Sequence, residues 1–266
     1  ENFKDVNGIA SAKSEMIEQI KKGGTIILNR DDKFFNHLFK KAKKFNLNIS
    51  TFGFHKKSDI RAEKIVKKRN LSIIFVRINN RIIDLKIRDL NIHNALCSLA
   101  VLKQLNVNIS KIRTKFKVFE SPEGRGKKYS INRYKKKFKL IDESYNANPL
   151  SVKNAINKFN LIKKKKFKKF LILGDMLELG SKSKKYHEEL SKVINRSDID
   201  KVFVKGKKTI FTYKQLDKDK RGNILQNIED IDLSLSKMIS NRDYLMIKGS
   251  NATGLNSFSR KMIKGI

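Results

Sequence analysis

The first 70 residues alternate between helical and β-type apolar patterns. Residues 10–22 carry apolar side chains at a helical spacing, and Gly23-Gly24 is a natural helix stop. The run TIILN that follows predicts a short buried strand, a second helical pattern starts at Asp32, and another strand is predicted around Ile49. This alternation is typical of an α/β domain.

From Leu71 the pattern changes to SIIFVRINNRIIDLKI, in which two β-rich runs flank Asn79-Asn80. Asparagine tolerates positive φ in a tight turn, so the segment predicts a β-hairpin. A further helix is predicted over residues 94–105, and it closes the first domain. The basic segment 111–128, with its proline and glycines, is expected to form the boundary.

The second half of the chain repeats a strand-then-helix pattern. The runs FKLID, FLILGD, DKVFVKG, NILQ and YLMIKG each precede a segment with helical spacing. Repeated alternation of this kind predicts an open, doubly wound sheet. We therefore expect an α/β protein with two domains, spanning residues 1–111 and 112–266.

Four polar segments directly follow predicted strands of the second domain. They are DESYNANP (142–149), GDMLELG (174–180), Lys205-Gly206 and KGS (248–250). Ligands of doubly wound sheets bind beyond the carboxyl ends of the strands, where glycines allow close approach and helix N-termini favour anions. Any one segment is more simply an ordinary helix-capping turn, whereas several at one sheet edge favour a binding site. Asp142 and Lys248 are expected on solvent-facing loops.

Charge and composition narrow the function. The net charge is +35, but the lysines are spread over the whole chain, which favours solvated lysine faces over a dedicated nucleic-acid surface. No apolar run approaches the length of a membrane span, and the first residues lack the pattern of a signal peptide, so a cytoplasmic protein is expected. Cys97 lies in an apolar helical pattern and is expected to pack like a small apolar residue.

The 266 residues lack the sequence motifs of several enzyme classes. No G-x-G-x-x-G follows a predicted strand, which argues against a dinucleotide-dependent oxidoreductase. The chain also contains no G-x-x-x-x-G-K-[ST], no H-E-x-x-H and no G-x-S-x-G. A non-catalytic basic fragment that binds nucleotides or nucleic acid stays open as an alternative.

Two segments carry a family resemblance. SYNANP (144–149) with Asp142, and LGDMLELG (173–180), resemble the signature of the Mur ligases, and within them of the members that add D-alanyl-D-alanine. Supporting matches occur in the family's order over essentially the whole chain, namely ASAKSEM, NRDD, NIHNAL, EGR and IKGS. Two places depart from the pattern: Arg88, Asp89 and Leu90 replace a glycine-basic-histidine segment, and EGR replaces PGR.

The resemblance implies the remainder of a central ATP-binding α/β domain followed by a C-terminal Rossmann-like domain. It implies an ATP- and Mg²⁺-dependent amide ligase that joins D-alanyl-D-alanine to UDP-N-acetylmuramoyl-tripeptide through an acyl phosphate, in cytoplasmic peptidoglycan precursor synthesis. A monomer without a specific nucleic-acid partner is expected. The family's UDP-sugar domain and phosphate-binding loop are expected before Glu1, so the 266 residues alone are expected to be inactive. A sister ligase for another amino acid is the closer alternative, against which SYNANP argues.

The same matches imply roles for individual residues. Lys13 matches the lysine that is commonly carbamylated in the family, and a carbamate would convert a cation into a hard oxygen ligand for Mg²⁺. Composition alone indicates a solvated helix lysine instead. The implied catalytic residues are Lys13, Asp142 and Lys248. The implied ATP-binding residues are Asn29, Asn91, Arg125, Tyr145, Asn146 and Asn148. The implied acceptor-side residues are Asp175, Glu178 and Ser250.

Overall fold

The computed structural model of the protein describes residues 6–68, 71–88, 91–119 and 121–265. The chain divides into two compact units, the first ending at Ser121 and the second starting at Pro122. The segment 112–121 therefore belongs with the first unit, because Phe116 is buried in that unit's core. In the described parts of the chain, no helix is long and apolar enough to cross a membrane.

The first unit contains a mixed sheet whose described strands lie in sequence order. The strands are β1 (Thr25–Asn29), β2 (Asn48–Gly53), β3 (Ile60–Lys68), β4 (Leu71–Ile78) and β5 (Arg81–Ile87). The first three are parallel, and β3, β4 and β5 form an antiparallel meander. The predicted hairpin is confirmed: β4 and β5 pair directly, and Asn79 in their turn has a φ of 52°.

Helices cover this sheet and complete its core. They are α1 (Val6–Ser14), α2 (Phe35–Lys44), α3 (Ile92–Gln104) and α4 (Ile109–Ile112), with 3₁₀ segments at Glu15–Gln19 and Arg113–Val118. The helix predicted over residues 10–22 is wrong in its bounds. The Ser14 hydroxyl donates to the Ser11 carbonyl at 2.7 Å, a side-chain bond that competes with helical pairing where α1 gives way to the 3₁₀ turn. Cys97 is half-buried in α3, and burial raises the pKa of its thiol.

The second unit is an open sheet with the strand order β10-β9-β8-β11-β7-β6. Its strands are β6 (Lys127–Arg133), β7 (Lys136–Glu143), β8 (Lys169–Gly174), β9 (Lys201–Lys205), β10 (Arg221–Leu225) and β11 (Tyr244–Lys248). All neighbours are parallel except β6 and β7, which form an antiparallel hairpin at one edge. The helices of this unit are α5 (Pro149–Asn160), α6 (Ser183–Asn195), α7 (Thr209–Lys214), α8 (Ile228–Met238) and α9 (Leu255–Lys264).

Both faces of this sheet are buried, which confirms the doubly wound prediction. Along β8, Leu171 and Leu173 pack into one core with α5 and α6, while Phe170 and Ile172 pack into the opposite core with α8 and α9. Each such side chain contributes roughly 1.5–3 kcal/mol on burial. Because β7, β8, β9 and β11 are parallel, the polar segments that follow them lie along one edge of the sheet.

Candidate functional site

Asp142 organises the loop that follows β7. Its side chain is 2% exposed, so the expectation of a solvent-facing residue is wrong. One carboxylate oxygen accepts from the Gly124 N–H at 2.9 Å, and the other accepts from the Ser144 N–H and hydroxyl at 3.2 and 2.6 Å. The carboxylate thereby fixes the EGR turn against the start of SYNANP.

Arg125 and Tyr145 form a stacked pair on the surface of this arrangement. The Arg125 guanidinium lies 4.3 Å from the centre of the Tyr145 ring, and the ring is 46% exposed. Gly124 makes the approach possible, because it has a φ of +71° and a Cβ there would lie 2.8 Å from the Tyr145 Cβ. Stacking holds the guanidinium while its N–H groups stay available for a phosphate or carboxylate.

Lys248 lies at the end of β11 and is buried, with 2% exposure. Its ammonium donates to the Asn146 carbonyl and to the Glu143 carbonyl, the latter at 3.3 Å, and lies 3.9 Å from Glu143 Oε2. Burial lowers the pKa of Lys248, the Glu143 charge acts to raise it, and Arg125 lowers it further. Lys248 therefore holds the SYNANP loop from beneath, contrary to the expected position on a solvent-facing loop.

Ser250 joins the two signature loops. Its hydroxyl accepts from the Leu177 N–H at 3.2 Å and donates to the Ala147 carbonyl at 3.4 Å, so it touches both LGDMLELG and SYNANP. Its own N–H donates to the Asp175 carbonyl at 3.1 Å. The structure thus brings together three of the four polar segments that the sequence singled out.

Asp175 connects the loop after β8 to the fourth segment. Its carboxylate accepts from the backbone N–H groups of Lys208 and Thr209, the latter at 2.7 Å, and so caps the start of α7 from another loop. Gly206 has a φ of +132°, and a Cβ there would lie 2.3 Å from Asp175 Oδ1. These contacts give Asp175 a structural task and leave its expected acceptor-side role as a prediction.

His187, in α6, is hydrogen-bonded to the loop that follows β8. The Met176 N–H donates to His187 Nε2 at 3.1 Å, and His187 Nδ1 lies 2.8 Å from the Ser183 carbonyl. Because a carbonyl only accepts, Nδ1 carries the proton and the ring is neutral. Burial lowers the pKa of His187, which agrees with this state. Glu178, in contrast, is exposed with a φ of 60°.

Asn148 caps a helix, whereas the Asn146 side chain lies at the surface. The Asn148 side chain accepts from the Ser151 N–H at 2.8 Å and caps α5, with Pro149 in the first turn. The Asn146 side chain is exposed and accepts from the Ala147 N–H at 2.7 Å, while its carbonyl accepts from Lys248. Asn146 therefore presents amide donors at the surface of the loop.

A second polar cluster lies at the carboxyl ends of β1 and β2, in the first unit. Asp31, which was not among the residues assigned from the sequence, accepts from the Phe54 and His55 N–H groups and lies 2.9 Å from His93 Nε2. Burial acts to raise the pKa of Asp31, but these hydrogen bonds outweigh it and hold that pKa below its ordinary value. The exposed Phe54 ring packs edge-on against His93 at 5.1 Å.

Asn29 and Asn91 flank this cluster. The Asn29 side chain accepts from the Asp31 N–H at 3.0 Å, and the Asn91 side chain caps α3 by accepting from the His93 N–H at 2.9 Å. The structure therefore brings both asparagines, matched to positions near a nucleotide base, to one sheet edge. Of the departures from the family pattern nearby, Arg88 is exposed, while Asp89 and Leu90 lie outside the described residues.

Lys13 lies in the last turn of α1 and is exposed. No described residue forms a hydrogen bond or ion pair with its ammonium, and no described group of three His, Cys, Asp or Glu residues is arranged to hold a metal ion. A carbamate on Lys13 would therefore supply one oxygen. This fits the usual coordination of Mg²⁺, which is completed by phosphate and water.

Two cavities, of about 500 and 550 Å³, lie away from these loops. Their linings include Lys137 and Tyr244 in one case, and Lys168 and Lys201 in the other. These residues lie at the amino ends of the strands of the second sheet. The cavities therefore do not coincide with the polar edge that the strand polarity favours for ligands.

The fold and the loop clusters define a two-domain α/β protein with a Rossmann-like second domain. The profile described as Mur ligase middle domain matches residues 1–102, and that described as Mur ligase, glutamate ligase domain matches residues 130–251. The chain belongs to the Mur ligase family.

Its similar relatives include ligases named UDP-N-acetylmuramoyl-tripeptide–D-alanyl-D-alanine ligase. The one from Rickettsia prowazekii is 28% identical over 262 residues, covering 96% of this chain and 57% of that protein. The one from Buchnera aphidicola subsp. Acyrthosiphon pisum is 29% identical over 287 residues, covering 99% and 57%. The chain thus spans a little more than half the length of these relatives.

Solved structures support the fold. The MurF ligase from Thermotoga maritima in complex with ADP aligns with a TM-score of 0.77 at 22% identity, covering 99% of this chain and 58% of that one. MurF from Acinetobacter baumannii also aligns with a TM-score of 0.77 at 22% identity, covering 97% and 56%. The expected architecture, part of a central α/β domain followed by a Rossmann-like domain, is confirmed.

Proposed function

We propose that the chain forms the ATP-binding and C-terminal part of a cytoplasmic ligase that adds D-alanyl-D-alanine to UDP-N-acetylmuramoyl-tripeptide. Its domains, predicted over residues 1–111 and 112–266, would be the C-terminal part of the central ATP-binding domain and the C-terminal domain, with the residues before Pro122 packing on the first. The observation that carries the proposal is the Ser250 hydroxyl, which joins the SYNANP and LGDMLELG loops. The names of the relatives support the same reaction.

The reaction runs in two steps. The terminal carboxylate of the tripeptide attacks the γ-phosphate of ATP and gives an acyl phosphate and ADP. The amine of D-alanyl-D-alanine then attacks the acyl carbon, and phosphate leaves. Phosphorylation is needed because a carboxylate is a poor acyl donor, and cationic groups offset the repulsion between carboxylate and triphosphate.

The second unit would supply charge and position. Arg125, held against Tyr145, presents N–H groups that suit a phosphate. Asn146 presents an exposed amide at the ATP and acceptor side of the loop. Ser250 is buried with its hydroxyl proton donated to the Ala147 carbonyl, and it would act by joining the two adjoining loops. Asp142 and Lys248 would act through the loop that they hold, since both are buried.

The first unit would bind the nucleotide base and the metal. Asn29 and Asn91, together with the exposed Phe54 ring, offer amide contacts and a stacking surface at one sheet edge. Lys13, if carbamylated, would give one oxygen to Mg²⁺. The metal supplies charge neutralisation on the phosphates.

The test is a ligation assay on the natural protein that contains this sequence. We expect ADP release and a new amide only when UDP-N-acetylmuramoyl-tripeptide, D-alanyl-D-alanine and ATP are all present. Replacing the dipeptide by single amino acids tests for a sister ligase. Retention of generic DNA at moderate salt, without any ADP release, would favour a basic binding fragment instead.

A further inference from the structure

The connection before β8 and the loop before β11 border a cavity of about 500 Å³ at the amino ends of the strands of the second sheet. A volume in this range is typical of small-ligand sites. The strand β8 contains six residues and spans about 20 Å, so the cavity and the signature loops lie toward its opposite ends. The cavity therefore belongs to a surface that the proposed ligase chemistry does not use.

One wall of the cavity is a row of side chains across three strands. Lys139 of β7 pairs with Ser130 of β6 on one side and with Tyr244 of β11 on the other, so the three side chains share one face of the sheet. Lys137 lies two residues earlier and is on the same face. Ile141, two residues later, is buried against α5 and α6. The helices thus cover this face further along β7 and leave its amino end open.

Two aromatic rings supply the apolar part of the lining. The rings of Phe167 and Tyr244 pack with their centroids 4.8 Å apart at an interplanar angle of 42°, and both residues are only half-buried. Because both line the cavity and neither is fully covered, they offer an apolar surface on which a planar ring can stack.

Three cations accompany the rings. Lys137, Lys139 and Arg242 are exposed and line the cavity. The acidic residue nearest to them in sequence, Asp243, is buried, and its carboxylate accepts from two backbone N–H groups, each at 2.7 Å. Among the residues that the structure describes, no carboxylate forms an ion pair with the three cations. They are therefore available for an anionic group, and a guanidinium suits a phosphate in particular.

The backbone at Arg242 has an uncommon conformation. Its φ is 71°, in a region where glycine and asparagine are preferred. Its N–H donates to the Lys137 carbonyl at 2.7 Å, and the Asn241 side chain accepts from the Lys137 N–H at 2.7 Å, so the loop is fixed to the start of β7. Because this conformation favours other residue types, the arginine is better explained by the side chain that it presents to the cavity.

We propose that this cavity binds a nucleoside monophosphate, at a site separate from the polar edges of both sheets. The base would stack on Phe167 and Tyr244, and the phosphate would be bound by Arg242, Lys137 and Lys139. A purely apolar ligand would leave the cations unused, and an inorganic anion would leave the rings unused. The inference does not depend on the proposed ligase function.

Fluorescence titration of Phe167→Trp, in the natural protein that contains this sequence, tests the proposal. These 266 residues contain no tryptophan, and the difference from the unsubstituted protein isolates the signal of the indole placed in the cavity. We expect AMP to quench this indole, and adenosine and inorganic phosphate to require at least about tenfold higher concentrations. Adding Arg242→Asn removes the cation while asparagine tolerates the positive φ, and it should raise the half-saturating AMP concentration about tenfold.

Lys135→Asn is the matched control for the arginine variant. Lys135 is also an exposed cation at positive φ, with a φ of 56°, but it lies in the turn between β6 and β7 and does not line the cavity. This substitution should leave AMP binding unchanged. Tyr244→Trp moves the reporter to the other ring and should give the same half-saturating concentrations, so that the result does not depend on how one ring is replaced.

Four outcomes would overturn the proposal. Absence of quenching by AMP from both reporters would mean that the cavity does not bind it, and equal responses to AMP and inorganic phosphate would indicate an anion site without stacking. An equal loss of AMP binding in Lys135→Asn and Arg242→Asn would mean that general positive charge attracts the nucleotide. Quenching by a single-stranded oligonucleotide but not by AMP would assign the surface to nucleic acid.

Discussion

The carboxylate of Asp142 accepts a hydrogen bond from the backbone N–H of Gly124 at 2.9 Å, across 18 residues of chain. Asp142→Ala would leave this buried N–H and the Ser144 groups without their acceptor. We expect the free energy of unfolding to fall by about 2 kcal/mol or more, together with turnover. Urea unfolding measures the change, and the exposed Asp219→Ala is the control. A loss equal to the control would show that the turn is held by other contacts.

Lys248→Met should also destabilise the second unit. The ammonium is buried and donates to the carbonyls of Glu143, at the end of β7, and of Asn146, in the SYNANP loop. Its removal leaves both acceptors and the Glu143 carboxylate uncompensated. We expect a loss of about 3 kcal/mol. Lys192→Met, at an exposed position of α6, should change unfolding little. A stable Lys248 variant with low turnover would restore the interpretation of Lys248 as a direct substrate contact.

His187 predicts a pH dependence of stability. Its pKa in the folded protein lies below the ordinary value of 6.5, so the unfolded chain binds the proton more readily. The contribution of the neutral ring is therefore complete above that value and is lost as the pH falls from it toward the folded pKa. Urea unfolding across this range should show a steeper decline for the wild type than for His187→Gln. The exposed His37→Gln should behave like the wild type, and equal slopes for all three proteins would refute the assignment.

Asn91 allows capping to be separated from nucleotide binding. Asn91→Ala removes the cap of α3 and should cost about 1 kcal/mol, whereas Asn91→Ser keeps a capping oxygen and should be nearly neutral. If the asparagine amide contacts the base, both variants lose ADP affinity, by roughly tenfold. Calorimetric titration and thermal unfolding of the same samples give both quantities. Full affinity in the serine variant would mean that Asn91 only caps the helix.

Lys13→Ala tests the proposed carbamate. We expect turnover of the natural protein to fall by roughly a hundredfold, because a metal ligand rather than a cation is lost. Added bicarbonate or short carboxylic acids should restore part of it by supplying the missing oxygen. Lys22→Ala, at another exposed position, should keep full activity. Full activity of Lys13→Ala would mean that Lys13 is only a solvent-exposed lysine on the helix surface.

The sequence located the strands that have a clear apolar pattern and missed two that do not. Every residue of β8 is buried, and its run FLILG is unmistakable. The edge strand β6 buries only Ile131, and β3 carries charged residues such as Glu63 and Lys64, so neither has a clear apolar pattern. Their strand form depends on pairing with β7 and β4, which is tertiary information.

For the candidate site, the sequence identified loops that the structure brings together, but not how deeply each side chain is buried. Charged side chains are almost never fully buried without a partner, so Asp142 and Lys248 were expected at the surface. Their partners are backbone groups that a sequence does not display. Asp31 was overlooked because its acceptor role depends on β2 lying beside β1.

The cap that Asp175 places on α7 also bears on how this domain can be recombined. Asp175 and Gly206 lie 31 positions apart, in loops that follow different strands. A side chain at position 206 would collide with the Asp175 carboxylate, and without Asp175 the start of α7 would lose its cap. A chimera that grafts the LGDMLELG loop from another member of the family would have to import the segment around Gly206 as well. We therefore expect the two loops to be exchangeable between homologues only when both are transferred together.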